Sequence, residues 1–236
     1  MNGNNMKKII DDLGGLSIIF FVGGAIILAV GFIVISLRQS STKLDLQEFR
    51  TETRNTIVQR TEGDTRSSIK MIEFSDFQCP YCKIFHDELM PQIRKEFIDT
   101  NIASIEYYPM TFLGADSVNA AKAAICAQDQ DQFWMYHDLL FYIQSPDHNN
   151  GTYSKDNLFE LVDYIDNEID SFDKELFINC FESNEVTNYV NQLQKQAADF
   201  GIKSTPTLVI NNIAVSGVQD IDVYKEIVEK ILFEEK

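Results

Sequence analysis

Two cysteines stand at the turn between a predicted strand and a predicted helix. Residues 69–74 have the length and apolar content of a buried strand. Residues 80–98 then place apolar side chains at helical spacing, and residues 102–108 form a second strand candidate. A β-α-β unit is therefore predicted, with Cys79 and Cys82 at the point where the strand gives way to the helix.

Cys79 falls at the start of this helix, where an anion is favoured. Unpaired N–H groups and the helix dipole stabilise a thiolate there, so the pKa of Cys79 is expected to fall from about 8.5 toward about 3.5–7. Cys79 is the expected nucleophile, and Cys82, one turn later, is placed to attack a mixed disulfide and release the substrate. The alternative is a permanent structural disulfide, although the Pro80-Tyr81 insert suits exchange better.

The remaining segments complete a β-α-β, helical insert, β-β-α order. The predictions are one long helical stretch at residues 116–143, two or three helices at 157–200, a hairpin at 207–210 and 213–216 around Asn211-Asn212, and a helix at 220–233. A packed domain with a helical insertion follows from this order.

Three motifs carry a family resemblance. They are Glu73-Phe-Ser-Asp-Phe-Gln-Cys-Pro-Tyr-Cys82, Ala121-Lys-Ala-Ala-Ile-Cys126, and Ser204-Thr-Pro-Thr207 before a late strand. Together they resemble the DsbA-like branch of the thioredoxin superfamily. The resemblance implies an α/β, thioredoxin-like fold, with a thioredoxin-like domain formed by residues 69–110 and 201–236 and a helical insertion at 111–200.

The resemblance also implies roles for residues outside the cysteine pair. Pro206 is expected to be cis beside the cysteines, leaving the backbone of Thr205 to pair with an extended substrate. Glu73 is expected to be buried and to exchange protons with Cys82. The alternatives are an ordinary trans proline and a solvated Glu73. Pro80 and Tyr81 are expected to contact the substrate.

Cys126 and Cys180 lie in predicted helices of the insertion. Relatives that join two such cysteines imply a structural disulfide here, which would close a loop of about 54 residues and stabilise the fold by about 4 kcal/mol. Two independent buried thiols are the alternative.

A metal-binding module is the rival class of function. Cys79-x2-Cys82-x3-His86 places three soft ligands on about one helical turn. A fourth ligand is hard to name, because His137 and His148 are far along the chain and His137 sits in an apolar helical segment. No metal or cofactor is therefore expected.

The first 68 residues predict an anchor and a tether. Residues 13–37 contain no charged side chain, and as a helix they span about 37 Å, more than the hydrocarbon core of about 30 Å. We expect a short tail at 1–12, a transmembrane anchor at 13–37, and a polar tether at 38–68 that ends in a short edge strand. A cleaved signal peptide and a buried helix are the alternatives.

Charge and the resemblance together define the expected function. The net charge of −16 argues against a nucleic-acid partner and against anionic lipid surfaces. We expect a monomer, and an oxidase rather than an isomerase, because the tether is too short for the dimerisation domain that isomerases of the superfamily usually carry. The prediction is an extracytoplasmic, single-pass oxidase that acts on reduced client proteins and is recharged by a membrane partner of the DsbB or vitamin K epoxide reductase type. A reductase or isomerase is the alternative.

Overall fold

The computed structural model describes residues 60–168 and 172–234. The predicted tail and anchor, and the predicted tether up to residue 59, lie outside the described residues. Within the described ranges, no helix is both long enough and apolar enough to cross a bilayer.

A five-stranded mixed sheet organises the chain. Its order is β1 (Thr61–Glu62), β3 (Ala103–Pro109), β2 (Ile69–Ser75), β4 (Thr207–Ile210), β5 (Ile213–Ser216). The central strands β2 and β3 are parallel, and each other neighbouring pair is antiparallel. Nearly every residue of β2 and β3 is buried, which explains the continuous apolar run that predicted a buried strand.

Edge strand β1 lies within the segment predicted to be the tether, near its end. It pairs with β3, so that Thr61 lies opposite Glu106. The buried Arg60 guanidinium forms an ion pair of 3.4 Å with Glu106, and Glu62 forms one of 2.7 Å with Arg94. These two ion pairs tie the edge strand to the rest of the fold.

Helix α1 follows β2 directly and runs through residues 80–98. It alternates α-helical segments (Pro80–Ile84 and Met90–Ile93) with π-helical ones (Phe85–Leu89 and Arg94–Ile98). Pro91 lies between the two π segments, and because it has no N–H to donate, the regular ladder is interrupted there. The predicted helix is confirmed in extent, but its two π-helical segments are not predictable from the apolar spacing.

Six further helices follow. They are α2 (Ala115–Gln128), α3 (Phe133–Tyr142), α4 (Lys155–Glu168), α5 (Lys174–Glu182), α6 (Asn184–Asp199) and α7 (Ile221–Glu234). The prediction of one helical stretch over residues 116–143 is wrong, since α2 and α3 are separate. The chain breaks at Asp131, whose φ of 61° is incompatible with a right-handed helix, and the amide of Gln132 turns back to the Ala127 carbonyl.

Two apolar clusters cover the two faces of the sheet. Alternate residues of β2 face opposite sides, so Met71 packs with side chains of α1 and α7 while Ile72 and Phe74 pack in the cluster that includes α6. Helix α6 is fastened to the sheet by the Tyr108 hydroxyl, which donates to the Leu193 carbonyl at 3.1 Å. The result is a thioredoxin-like fold with the cysteine turn at the end of a central strand.

Candidate active site

Cys79 caps the N-terminus of α1. Its φ and ψ of −76° and 120° are extended, and Pro80 supplies the first helical residue. The Cys79 carbonyl accepts backbone hydrogen bonds from Cys82 at 3.0 Å and Lys83 at 3.1 Å. A hydrogen bond from the Cys82 thiol, with contributions from Thr205 and the first amides of the helix, lowers the pKa of Cys79 to about 6 against the effect of burial. Cys79 is therefore the more readily ionised thiol.

Cys82 lies one turn inward and is fully buried. The amide of Asp76 donates to its sulfur at 3.4 Å. Burial raises the pKa of Cys82 well above its ordinary value, and the neighbouring Cys79 raises it further. Both residues are free thiols in this structure. The pair is thus asymmetric, with one thiol suited to attack and the other held protonated.

The loop before β4 lies against Cys79. The Thr205–Pro206 peptide bond is cis, as the resemblance implied. The Cys79 thiol contacts the Thr205 carbonyl oxygen at 3.4 Å, and Pro206 is buried with its own carbonyl bonded to the Gly217 amide. Tyr81, two residues after Cys79 in the chain, is 64% exposed. The Cys79 thiol therefore lies against the backbone carbonyl of the residue that precedes the cis proline.

Glu73 lies on β2 and is only 3% exposed, so it is not a solvated surface group. Burial raises the pKa of Glu73 to about 7, with smaller opposing effects from Ser75 and His86. Ser75 lies two residues further along the same strand and is also buried. Ser75 Oγ has no hydrogen-bond partner among the described residues, so it bonds neither Glu73 nor Cys82. Glu73 Oε1 has no hydrogen-bond partner there either.

Sequence reasoning missed the role of Asp76. Its buried carboxylate accepts hydrogen bonds from the Ser117 hydroxyl at 2.7 Å, the Gln78 amide at 2.9 Å and the Leu113 amide at 3.2 Å. The Gln78 side chain in turn donates to Ser117 at 2.8 Å. This network ties the cysteine turn to α2. A short acidic residue that accepts from the amide two positions later is a local turn signal, and it could have drawn attention to Asp76.

Cys126 and Cys180 form a disulfide with a Cα–Cα distance of 5.7 Å. The bond joins α2 to α5, on elements distant in sequence from the cysteine turn. Cys126 is buried and Cys180 is partly exposed. The structure thus contains one formed disulfide and one free dithiol.

The rival metal set is not assembled. Among the described residues, His86 groups with His137 and Asp138 rather than with Cys79 and Cys82. The His86 ring nitrogens lie 2.8 Å from Asp87 and 3.0 Å from Asp138. His148 is exposed and outside this group.

Comparisons with known proteins give a consistent result. A family model described as thioredoxin matches residues 55–230. The chain is 30% identical to the disulfide bond formation protein D of Bacillus subtilis (strain 168), over 72% of this chain and 75% of that protein. It is 26% identical to a probable disulfide bond formation protein D of Bacillus anthracis, over 93% of this chain and 96% of that protein.

Solved structures share the fold. Oxidised BdbD from Bacillus subtilis superposes with a TM-score of 0.62 at 24% identity, covering 72% of this chain and 91% of that one. The thiol-disulfide exchange protein alpha-DsbA2 from Wolbachia pipientis gives a TM-score of 0.62 at 19% identity, covering 80% and 95%. At these identities the likeness supports the fold alone.

Proposed function

Because the chain belongs to the DsbA-like branch of the thioredoxin superfamily, it is a protein thiol-disulfide oxidoreductase, and we propose that it works as an oxidase that donates a Cys79–Cys82 disulfide to reduced client proteins. The observation that carries the proposal is the 3.4 Å contact between the Cys79 sulfur and the Thr205 carbonyl oxygen. An extended client segment that pairs with the Thr205 backbone would bring its own sulfur to Cys79.

The proposed reaction is two successive thiol-disulfide exchanges. A client thiolate attacks the Cys79 sulfur of the oxidised protein, the Cys79–Cys82 bond breaks, and Cys82 leaves with the electron pair. A second client thiolate then attacks the client sulfur of the mixed disulfide, and Cys79 leaves as a thiolate. The client loses two electrons and two protons, and the protein ends as the dithiol.

The asymmetry of the two thiols supports this direction. A leaving thiol of low pKa departs faster, and the pKa of Cys79 is lowered to about 6. Cys82, whose pKa burial raises, needs a proton when it leaves. We assign Glu73 as the group that exchanges this proton, because its own pKa of about 7 lets it hold or release one near neutrality.

Client contact is assigned to the surface around Cys79. Thr205 and Pro206 would supply the backbone edge, and Pro80 and Tyr81 the adjoining surface. Both Pro80 and Tyr81 are exposed. Since Tyr81 keeps an accessible ring beside the nucleophile, it can pack against varied client side chains.

We further propose that residues 13–37 anchor the protein in a membrane, with the catalytic domain outside the cytoplasm. The support is the uncharged run itself, which is long enough to span the hydrocarbon core. A quinone-linked membrane protein of the DsbB or vitamin K epoxide reductase type would reoxidise the dithiol. The anchor is tested by carbonate extraction, in which the full chain should stay with the membranes; release into the supernatant would refute it.

The oxidase assignment is tested with a client protein whose native disulfides have first been reduced to thiols. The oxidised full chain should restore client disulfides, whereas Cys79→Ser should be inactive. In cells, Cys82→Ala should accumulate mixed disulfides, because the Cys79 thiolate can still attack a client disulfide with loss of a client thiolate, while Cys82, which would attack the mixed disulfide and release the client, is missing. The matched control is Cys82→Ala combined with Cys79→Ser, which should trap nothing. If Cys82→Ala traps no protein either, protein clients are excluded.

A further inference from the structure

One turn beyond Cys82, three side chains with metal-binding atoms converge where α1 meets α3. His86 Nε2 lies 3.0 Å from Asp138 Oδ1, and His137 Nδ1 lies 2.8 Å from the same oxygen. The ligand atoms of the three residues all lie within 4.8 Å of one another. We propose that His86, His137 and Asp138 bind a divalent transition-metal ion, and that Zn²⁺ is the ion this donor set favours.

The donor set matches zinc sites that keep an open coordination position. Two imidazole nitrogens and a carboxylate oxygen are ordinary zinc ligands, with bonds of about 2.0–2.1 Å. In a tetrahedron such bonds place ligand atoms about 3.3 Å apart. The two distances to Asp138 Oδ1 are close to this separation. Because the Asp138 side chain is 53% exposed, it can make the small rotation that an ion requires.

Both ring nitrogens of His86 lie beside carboxylates, one of which belongs to the proposed site. Nδ1 lies 2.8 Å from Asp87 Oδ1, so both ring nitrogens face carboxylate oxygens. A neutral imidazole has only one N–H and can donate to only one of them. The other carboxylate contact then requires a second ring proton or a metal ion. With a metal ion bound to Nε2 and Asp138, Asp87 would be the carboxylate that orients the metal-bound ring.

His137 is the buried member of the three residues. Its side chain is only 2% exposed, and its Nε2 has no hydrogen-bond partner among the described residues. Its ring is held by aromatic neighbours, including Tyr107 at 4.5 Å and Phe141 at 5.0 Å between ring centroids. Packing thus fixes the ring with Nδ1 turned toward Asp138, the orientation a ligand needs.

Two of the three residues reach solvent, and the charged side chains around them are compatible with a cation. His86 and Asp138 line a surface groove of about 680 Å³, through which a hydrated ion can enter. Lys83 is paired with Asp87 at 3.1 Å and donates to the Phe141 carbonyl, and Arg94 is paired with Glu62. Both cationic side chains are therefore already engaged by other groups.

A bound ion would join the two parts of the fold. His86 belongs to α1, whose first turn carries Cys79 and Cys82, while His137 and Asp138 belong to α3. The ion would hold the insertion against the active-site helix without using either thiol. The proposal is independent of the direction of thiol exchange, and its ligands differ from the Cys79, Cys82 and His86 set.

The test measures zinc binding under conditions where the thiols cannot contribute. Full-length, untagged protein in detergent, with Cys79 and Cys82 oxidised to a disulfide, is titrated with Zn²⁺ in competition with a chromophoric chelator at neutral pH. We expect one ion per chain at micromolar affinity or tighter. His86→Gln and Asp138→Asn should each weaken binding on the order of 100-fold, and Asp87→Asn on the order of 10-fold.

His148→Gln is the matched control, since it removes an exposed imidazole outside the triad, and it should bind zinc like the unaltered chain. Zn²⁺ should also raise the melting temperature of the unaltered chain and leave that of Asp138→Asn unchanged. His86 and Asp138 are the partly exposed ligands, so these variants are expected to fold, and circular dichroism without zinc checks this. Absence of binding by the oxidised chain, or undiminished binding by both ligand variants, would overturn the proposal.

Discussion

The backbone amide of Asp76 donates a hydrogen bond of 3.4 Å to the sulfur of Cys82. The carboxylate of the same residue is held by Ser117 in α2. Asp76 therefore joins the buried thiol to the insertion through two bonds, one from its backbone and one to its side chain. The environment of Cys82 is set by the packing of the insertion as well as by α1.

Alkylation should distinguish the two thiols of the reduced protein. At about pH 6 half of Cys79 should be ionised, since its pKa is lowered to about 6, which is on the order of 100-fold more thiolate than an ordinary cysteine has. Iodoacetamide should modify Cys79 far faster than Cys82, as followed by peptide mass spectrometry. Cys82→Ala should raise the pKa of Cys79, because the Cys82 thiol donates the main stabilising hydrogen bond. Equal rates at the two cysteines would contradict the nucleophile assignment.

The thermal stability of the two redox states should depend on pH. The folded protein lowers the pKa of Cys79 below its unfolded value, so ionisation stabilises the reduced form fully above about pH 8.5, and the gain disappears as the pH falls through about 6. Reduced protein should melt a few degrees above the Cys79–Cys82 disulfide form at about pH 8, with a smaller difference at about pH 5. Calorimetry of a Cys126→Ala, Cys180→Ala variant isolates this pair. A higher melting temperature for the oxidised form at about pH 8 would instead indicate a reductase.

Removing the Cys126–Cys180 bond should destabilise the protein without abolishing exchange at Cys79. The bond spans 54 residues, and the chain-entropy model gives a loss of about 4 kcal/mol in the free energy of unfolding. Urea denaturation of Cys126→Ala, Cys180→Ala measures the loss. The control, Cys79→Ala with Cys82→Ala, removes two free thiols and should show no loss of crosslink entropy. A loss below about 1 kcal/mol in the first variant would show that the loop contributes little.

Glu73→Gln should stabilise the protein at alkaline pH. Burial raises the pKa of Glu73 from 4.5 to about 7, so the folded state loses stability as the pH rises from about 4.5 to about 7, by up to about 3 kcal/mol. The neutral amide avoids this loss, and the variant should be the more stable protein at about pH 8 but not at about pH 4. Urea denaturation at both pH values provides the measurement.

The same substitution should slow client oxidation, because Cys82 loses its proposed proton partner. Glu88→Gln is a suitable control, since Glu88 is exposed on α1. An unchanged rate in Glu73→Gln would remove Glu73 from the reaction, while leaving the stability prediction intact.

The elements that could be predicted from sequence carry local signals. The hairpin around Asn211-Asn212 and the strand that feeds α1 follow from short-range patterns, and the structure has both. The break at Asp131 was missed because apolar and alanine-rich segments continue helical spacing on both sides of it. Asp76 and Ser117 are 41 residues apart, and His86 and Asp138 are 52 apart. Such pairs meet only through the tertiary fold, so spacing alone could not identify them.

Edge strand β1 has a practical consequence for shortened versions of the protein. A chain that begins at Ile69 would lack Arg60 and Glu62, leaving the backbone of the buried strand β3 without its pairing at Ile105 and Glu106. Exposed edges of that kind pair with other chains, so such a fragment should aggregate more readily even though every residue of the proposed active site is present. The two residues of β1 thus protect this part of β3 from pairing with another molecule. A shortened protein should therefore retain the chain from Arg60 onward.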